Sequence, residues 1–175
     1  MMSLPQKNAV VKIRSIFVEV IDKSFAWGFF YGSTIGDPKI CGVGGMLYIL
    51  DEHYFSSKVG LGLGTNNYVE ICALKLLLFL ARRNSLAKIQ IFGDSQLVIN
   101  WASGKFRLLN LDLSVILHEL NRLTDCFDYV VLKHIYREIN TSANALEKVG
   151  GMILEGFWSI KEHRVDEVVE TFQIF

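Results

Sequence analysis

The sequence carries no net charge, because 18 Lys and Arg residues balance 18 Asp and Glu residues. Proteins that hold nucleic acid by bulk electrostatics need an excess of cations, so the composition disfavours that class but allows a local basic surface. Cysteine is also scarce. Cys41, Cys72 and Cys126 are an odd, scattered set without metal-site spacing. Reduced thiols in a cytoplasmic or nuclear setting are the simplest interpretation.

Long hydrophobic runs are absent as well. The longest, residues 71–81, is interrupted by Lys75 and is shorter than the ~20 residues that a membrane-spanning helix needs. No charged and then apolar leader opens the chain, so we expect no secretory signal and no membrane partner. The apolar fraction of 51% is ample for the core of one folded domain.

The clearest local pattern runs from Ile89 to Trp101. An apolar run is broken by Gly93, Asp94 and Ser95, and a helical spacing of apolar residues follows. This pattern predicts a strand, a tight turn and a helix start. Asp94 then lies at the carboxyl end of the strand, where open α/β sheets place their chemistry. A helix N-cap at Asp94 or Ser95 is the structural alternative.

The remaining patterns predict four more strands and three more helices. Three β-rich segments joined by short turns favour an antiparallel meander. The predicted strands are 27–31, 41–50, 54–61, 88–92 and 130–136, and the predicted helices are 68–83, 95–102, 112–123 and 141–149. The order βββαβααβα predicts an α/β fold in which a five-stranded mixed sheet is flanked by helices.

The same patterns predict the domain organisation. We expect residues 22–151 to form the domain, after an N-terminal extension at 1–21 and before a C-terminal extension at 152–175. The C-terminal extension has no clear period, and we expect it to pack on or beside the domain.

In this order, the residues resemble a known family. The matching motifs are Phe30-Tyr31-Gly32-Ser33, Cys41-Gly-Val-Gly-Gly, Gly64-Thr-Asn-Asn-Tyr-Val-Glu70, the stretch from Gly93 to Trp101, and Arg137-Glu-Ile-Asn140-Thr-Ser-Ala143-Asn144-Ala-Leu146. The chain is similar to a type 1 ribonuclease H domain of the plant kind related to retrotransposon enzymes. The resemblance implies a ribonuclease H-like fold. It also implies hydrolysis of RNA in an RNA–DNA hybrid by four carboxylates that hold two Mg²⁺ ions.

Two of those four carboxylates are altered in this sequence. The resemblance places the second and third on Glu70 and Asp94, but the first falls on Tyr31 and the fourth on Asn144. A phenol, with a pKa of about 10, is neutral near pH 7, and Asn144 keeps the shape of Asp without its charge. The sequence therefore predicts a degenerate site that holds one weak Mg²⁺ at most, on Glu70 and Asp94.

The resemblance also implies contacts to nucleic acid. It places Asn66 and Asn67 in a minor groove, where 2′-hydroxyls mark RNA, and adds Ser33 and Ser95. One of the two asparagines is alternatively a helix N-cap. Basic side chains either meet phosphates or are simply solvated: Lys58, Lys75, Arg82, Lys105 and Arg107. The favoured function is weak binding of RNA–DNA hybrid or other RNA without catalysis, that of a pseudoenzyme.

Two alternatives stay open. One is an active or weakly active Mg²⁺-dependent hybrid ribonuclease, which requires a metal ligand that the family pattern does not supply. The other is a protein-interaction scaffold that uses the apolar side chains of the termini. In the C-terminal extension these are Phe157, Trp158, Phe172 and Phe175.

Overall fold

One mixed sheet of seven strands dominates the computed structural model, which describes residues 21–136 and 157–174. The elements in chain order are β1 (Ala26–Ile35), β2 (Ile40–Leu50), β3 (His53–Leu63), α1 (Asn66–Arg83), β4 (Lys88–Gly93), α2 (Gln96–Ala102), α3 (Leu111–Thr124), β5 (Tyr129–His134), β6 (Phe157–Arg164) and β7 (Glu167–Ile174). The strands lie side by side in the order β5-β4-β1-β2-β3-β6-β7. No helix in the described ranges is long and apolar enough to cross a membrane.

The first five strands follow the predicted topology. β1, β2 and β3 form an antiparallel meander, and β4 and β5 extend the sheet in parallel on the other side of β1. The prediction of a mixed α/β sheet is therefore confirmed. The predicted helix at 141–149 and almost all of the predicted N-terminal extension lie outside the described residues.

The prediction of five strands was wrong. The segment 157–174 is a β-hairpin whose first strand, β6, pairs antiparallel with β3. The pairing covers the edge that β3 would otherwise present to solvent. Trp158 and Ile160 of β6 are buried in the main core, whereas the second half of β6 is polar. Because that half is polar, the alternation of apolar and polar residues that is typical of a strand is not visible in the sequence.

Helix α1 covers one face of the sheet and supplies more residues to the main core than any other element. Ten of its 18 residues are buried. The helix begins at Thr65, whose Oγ1 accepts a hydrogen bond from the Tyr68 N–H at 3.2 Å. Thr65 rather than Asn66 or Asn67 is thus the N-cap, and α1 starts two residues before the predicted position.

The other face of the sheet carries a row of aromatic rings. Trp27 stacks on Tyr48, Tyr48 stacks on Tyr54, and Tyr54 stacks on His163 of β6. These four residues are direct partners in the register of β1, β2, β3 and β6. The hairpin therefore continues the side-chain pattern of the meander on this face.

Candidate functional site

The candidate site forms where β1 and β4 run parallel. Phe30 of β1 pairs with Gly93 of β4, so the next residues, Tyr31 and Asp94, occupy neighbouring positions at this end of the sheet. A Cβ atom on Gly93 would overlap the ring of Phe30. Only glycine therefore fits directly before Asp94, which explains the turn residue that the sequence pattern singled out.

Tyr31 is among the most buried side chains of the protein, with 1% of its surface exposed. Its neighbours in β1 fix its direction. Phe30 belongs to the core on the α1 side, and Trp27 and Phe29 lie in the cluster on the opposite face. Because successive strand side chains alternate, Tyr31 lies on that opposite face. A large neutral phenol thus occupies the position at which the resemblance predicts the first family carboxylate.

Glu70 reaches the same region from α1. A Cβ on Gly32 would come within 2.9 Å of the Val69 carbonyl carbon and oxygen, so α1 packs directly on the backbone of β1 at this point. The close approach places half-buried Glu70 beside the strand that carries Tyr31. The small residue after Tyr31 is what allows this contact.

A cavity of about 260 Å³ opens between β1 and the start of α1. It is lined by Tyr31, Gly32, Ser33, Thr34, Asn66, Val69 and Glu70. Thr34 Oγ1 donates to Asn66 Oδ1 at 2.7 Å, and Lys39 Nζ lies 3.5 Å from the same oxygen. Since the oxygen is the acceptor in both contacts, the Asn66 NH₂ group is the donor that it offers to a ligand. Sequence patterns missed Thr34, because its pairing with Asn66 spans 32 residues.

The cavity brings together four of the predicted site residues: Tyr31, Ser33, Asn66 and Glu70. Asn67 is exposed in the first turn of α1 and is not part of the lining. Asn144 lies outside the described residues. Ser95 is the N-cap of α2, with its Oγ accepting from the Val98 N–H at 3.4 Å. Ser95 is therefore a helix N-cap, as the structural interpretation of the sequence predicted.

Asp94 is half-buried and lies beside this cavity rather than in its lining. Burial raises the pKa of its carboxyl, and the nearby His134 lowers that pKa by a smaller amount. His134 Nε2 donates to the Asp94 backbone carbonyl at 3.2 Å. Among the described residues, Asp94 Oδ1 has no hydrogen-bond partner. The carboxylate is thus held in a poorly solvated position that disfavours its charge.

Among the described residues, the donors around Tyr31 do not fit a pair of Mg²⁺ ions. Mg²⁺ prefers near-octahedral oxygen ligands, chiefly carboxylates, yet a buried phenol stands where the first carboxylate is expected. Within residues 21–136 and 157–174, no three His, Cys, Asp or Glu side chains are grouped so that they could hold a metal ion. Glu70 and Asp94 are the two carboxylates that the resemblance predicts as metal ligands.

Comparisons with solved structures agree on the fold. The RNase H1 of the halophilic archaeon Halobacterium salinarum is 28% identical, with a TM-score of 0.68 over 73% of this chain and 97% of that chain. The N-terminal RNase H domain of a Mycobacterium tuberculosis protein is 24% identical, with a TM-score of 0.68 over 73% and 93%. LC11-RNase H1, solved in complex with an RNA/DNA hybrid, is 22% identical, with a TM-score of 0.64 over 71% and 94%.

The family comparison covers the central part of the sequence. No protein of curated function matches the chain significantly. Residues 51–149 match the model of the reverse transcriptase-like family. That match spans more than half of the 175 residues and includes Glu70 and Asp94. The chain therefore belongs to the reverse transcriptase-like family and has a ribonuclease H-like fold.

Proposed function

We propose that this protein binds RNA–DNA hybrid or other RNA and does not hydrolyse it. The observation that carries the proposal is the burial of Tyr31, which is 1% exposed. The motif resemblance predicts the first family carboxylate at this residue. A phenol is neutral near pH 7, and its ring takes up space that metal-bound water needs. The motif resemblance further supports kinship with plant and retrotransposon-related domains.

The loss of catalysis follows from the chemistry of a two-metal site. Such a site needs shared oxygen ligands that hold two cations about 4 Å apart. With Tyr31 and Asn144 at two of the four positions, the negative charge falls from four carboxylates to Glu70 and Asp94. These two hold one weak Mg²⁺ at most.

Retention of binding is supported by the cavity itself. Ser33 and Asn66 line it and offer a hydroxyl and an amide donor, which are the groups that read 2′-hydroxyls and base edges in a minor groove. Exposed Asn67 lies one residue further on. LC11-RNase H1 with its RNA/DNA hybrid supports the class of partner. Because the chain has no net charge, binding is weak and decreases at high salt.

A cleavage assay on labelled RNA–DNA hybrid, with Mg²⁺ and separately with Mn²⁺, tests the loss of catalysis. We expect no cleavage by the parent and cleavage by the double variant Tyr31→Asp/Asn144→Asp. The matched control adds Glu70→Ala to the double variant and should abolish the restored activity. Cleavage by the parent that Glu70→Ala removes would contradict the proposal and establish an active ribonuclease.

Fluorescence anisotropy with hybrid, double-stranded RNA and double-stranded DNA of one sequence tests binding. We expect the hybrid or the RNA to bind more tightly than the DNA, and Asn66→Ala to reduce this preference. Equal affinity for all three duplexes would contradict recognition through 2′-hydroxyls.

The edge strand β7 supports a second candidate function, that of a protein-interaction scaffold. Its side chains at positions 167–172 are all exposed, including Val168 and Phe172, the latter at 63%. Trp158, by contrast, is buried in the core and is not available to a partner. A parent that neither cuts nor binds any of the duplexes would favour this function. A reducing cytoplasmic or nuclear location is part of both candidates, since the cysteines are free thiols.

A further inference from the structure

The C-terminal hairpin builds a polar cleft with the meander. The cleft has a volume of about 200 Å³ and is lined by Ser56, Ser57, Lys58, Ser159, Lys161 and His163. Two cations, one imidazole and the hydroxyls of Ser56 and Ser159 thus converge on one concave surface. This combination of charge-assisted and neutral donors is the one that proteins use for phosphate oxygens.

Strand alternation places the cleft on the face opposite α1. Phe55 and Val59 of β3 are buried in the core on the α1 side. A Cβ on Gly45 would lie 3.6 Å from Ser57 Oγ and 3.9 Å from Leu77 of α1, which puts Ser57 on that side too. Ser56 and Lys58 alternate with these residues and lie on the other face, the face of Tyr31.

The β3–β6 pairing brings the cleft residues together over about 100 positions of sequence. Ser56 is the direct partner of Lys161, and Lys58 is the direct partner of Ser159. The next pair in this row brings His163 opposite Tyr54, whose ring stacks on the imidazole with centroids 4.5 Å apart. The cleft therefore exists only because β6 adds to the sheet.

The polar groups of the cleft are partly pre-organised. His163 Nε2 lies 3.0 Å from Ser56 Oγ, and Ser159 Oγ donates to Glu170 Oε1 at 2.9 Å. Burial lowers the pKa of His163, and the neighbouring Lys161 cation lowers it further, so the imidazole is neutral near pH 7. It then acts as a hydrogen-bonding group rather than as a third cation.

The two lysines supply the charge. Lys58 and Lys161 are half-buried, and neither forms an ion pair with a carboxylate in the described part of the chain. The carboxylate closest in register is that of Glu170, which is the partner of Lys161 in the β6–β7 pairing. This carboxylate already accepts a hydrogen bond from Ser159. Partly desolvated cations of this kind attract an anion more strongly than solvated surface lysines do.

The sheet register relates the cleft to the candidate site. Tyr31 pairs with Gly44, and Gly44 pairs with Lys58, so Lys58 lies two strands from Tyr31 on the same face. At the usual strand spacing this is a distance of about 10 Å. With a rise of about 3.4 Å per nucleotide, a strand bound at Tyr31 reaches the cleft within roughly three nucleotides.

We propose that this cleft is a phosphate-binding subsite through which the C-terminal hairpin holds the backbone of a nucleic acid bound at the candidate site. The proposal rests on the proposed function, since it requires that the parent binds nucleic acid. Lys58 and Lys161 pair with phosphate oxygens, and the Ser56 hydroxyl, which His163 orients, completes the contact.

The test measures affinity for the RNA–DNA hybrid over a range of salt concentrations. The test variant is Lys58→Gln/Lys161→Gln, which keeps most of the side-chain length but removes both charges. The matched control is Lys23→Gln/Lys88→Gln, which removes two exposed lysines near the start of β1 and β4, far from Asp94. Lys58→Arg/Lys161→Arg keeps the charges and is the rescue variant. Thermal melts verify that each variant is folded.

We expect the test variant to bind about tenfold more weakly or worse at low salt, as the loss of charged hydrogen bonds implies. The slope of log K against log salt should become shallower by about one to two units, because fewer counterions are released. The control and the rescue variant should keep the slope of the parent.

Three outcomes separate this proposal from the proposed function. A loss of affinity and slope in the test variant alone supports the cleft. Unchanged binding by the test variant, with a parent that binds, overturns the cleft and leaves the proposed function standing. A parent that binds neither hybrid nor RNA overturns both.

Discussion

Replacing Tyr31 with Asp tests the central claim about the site, because it exchanges a buried ring for the carboxylate of the family pattern. Truncation of a buried aromatic side chain costs about 3–5 kcal/mol of unfolding free energy. The new carboxylate would also lie near Asp94, whose pKa burial already raises, so like-charge repulsion adds to the cost. We expect a total loss of at least about 4 kcal/mol in the absence of divalent ions.

For a chain of this size, 1 kcal/mol corresponds to roughly 2–4 °C, so the melting temperature should fall by about 8–16 °C. Two companion variants separate the contributions. Tyr31→Phe removes only the hydroxyl and keeps the buried ring, so it should cost about 1 kcal/mol or less. Tyr31→Asn matches the shape of Asp without its charge. The difference between the Asn and Asp variants therefore isolates the electrostatic part.

Mg²⁺ should reverse part of the loss in the Asp variant only. A ligand at 100 times its dissociation constant stabilises the folded state by about 2.7 kcal/mol, which corresponds to roughly 5–11 °C here. Thermal unfolding monitored by circular dichroism, with and without Mg²⁺, measures the shift. The parent and Tyr31→Asn should respond weakly. If Mg²⁺ stabilised the parent as much as Tyr31→Asp, the claim that Tyr31 displaces metal would be wrong.

Three further predictions concern the surroundings of the site. Asp94→Asn should raise the unfolding free energy at pH 7. This gain in unfolding free energy should vanish below the ordinary Asp pKa of 3.8 and grow as the pH rises through the raised pKa of the folded state. Urea denaturation over a range of pH measures the gain. An Asn variant that is less stable than the parent at pH 7 would refute the prediction. Gly93→Ala should lower the unfolding free energy by about 1–3 kcal/mol, because the new Cβ overlaps the Phe30 ring. Phe30→Leu should lower the unfolding free energy less in the Gly93→Ala background than in the parent, which a double-mutant cycle measures. Thr65→Ala should cost about 1 kcal/mol through loss of the α1 N-cap, whereas Asn66→Ala should change the urea midpoint less; the reverse order would reassign the cap.

Several features of the fold could be predicted because their causes are local. The meander is visible as β-rich segments with short turns, and α1 as apolar residues spaced by three and four. The turn before Asp94 is visible because a glycine there is a steric requirement of the nearby Phe30 ring. The hairpin of β6 and β7 was missed, since the second half of β6 is polar and lacks alternation, and since the hairpin pairs with the free edge of β3.

The candidate site was likewise predicted only in part. The motif order predicted Tyr31, Glu70 and Asp94 as site residues, because the chemistry of each position depends on residue type. Sequence patterns did not reveal that Thr34 positions Asn66, that Thr65 rather than an asparagine caps α1, or that His134 contacts the Asp94 carbonyl. Each of these contacts depends on side-chain positions that the pattern of residue types leaves open.

By itself, the sequence determined the order of the first eight elements and the charges that the site carries, since both follow from residue type and short-range period. Only the tertiary structure decided that Tyr31 is buried rather than exposed, because the exposure of a strand residue depends on what covers its face. The tertiary structure also joined Lys58 to Lys161 in one cleft. Residues more than 100 positions apart meet only when backbone pairing brings their strands into register.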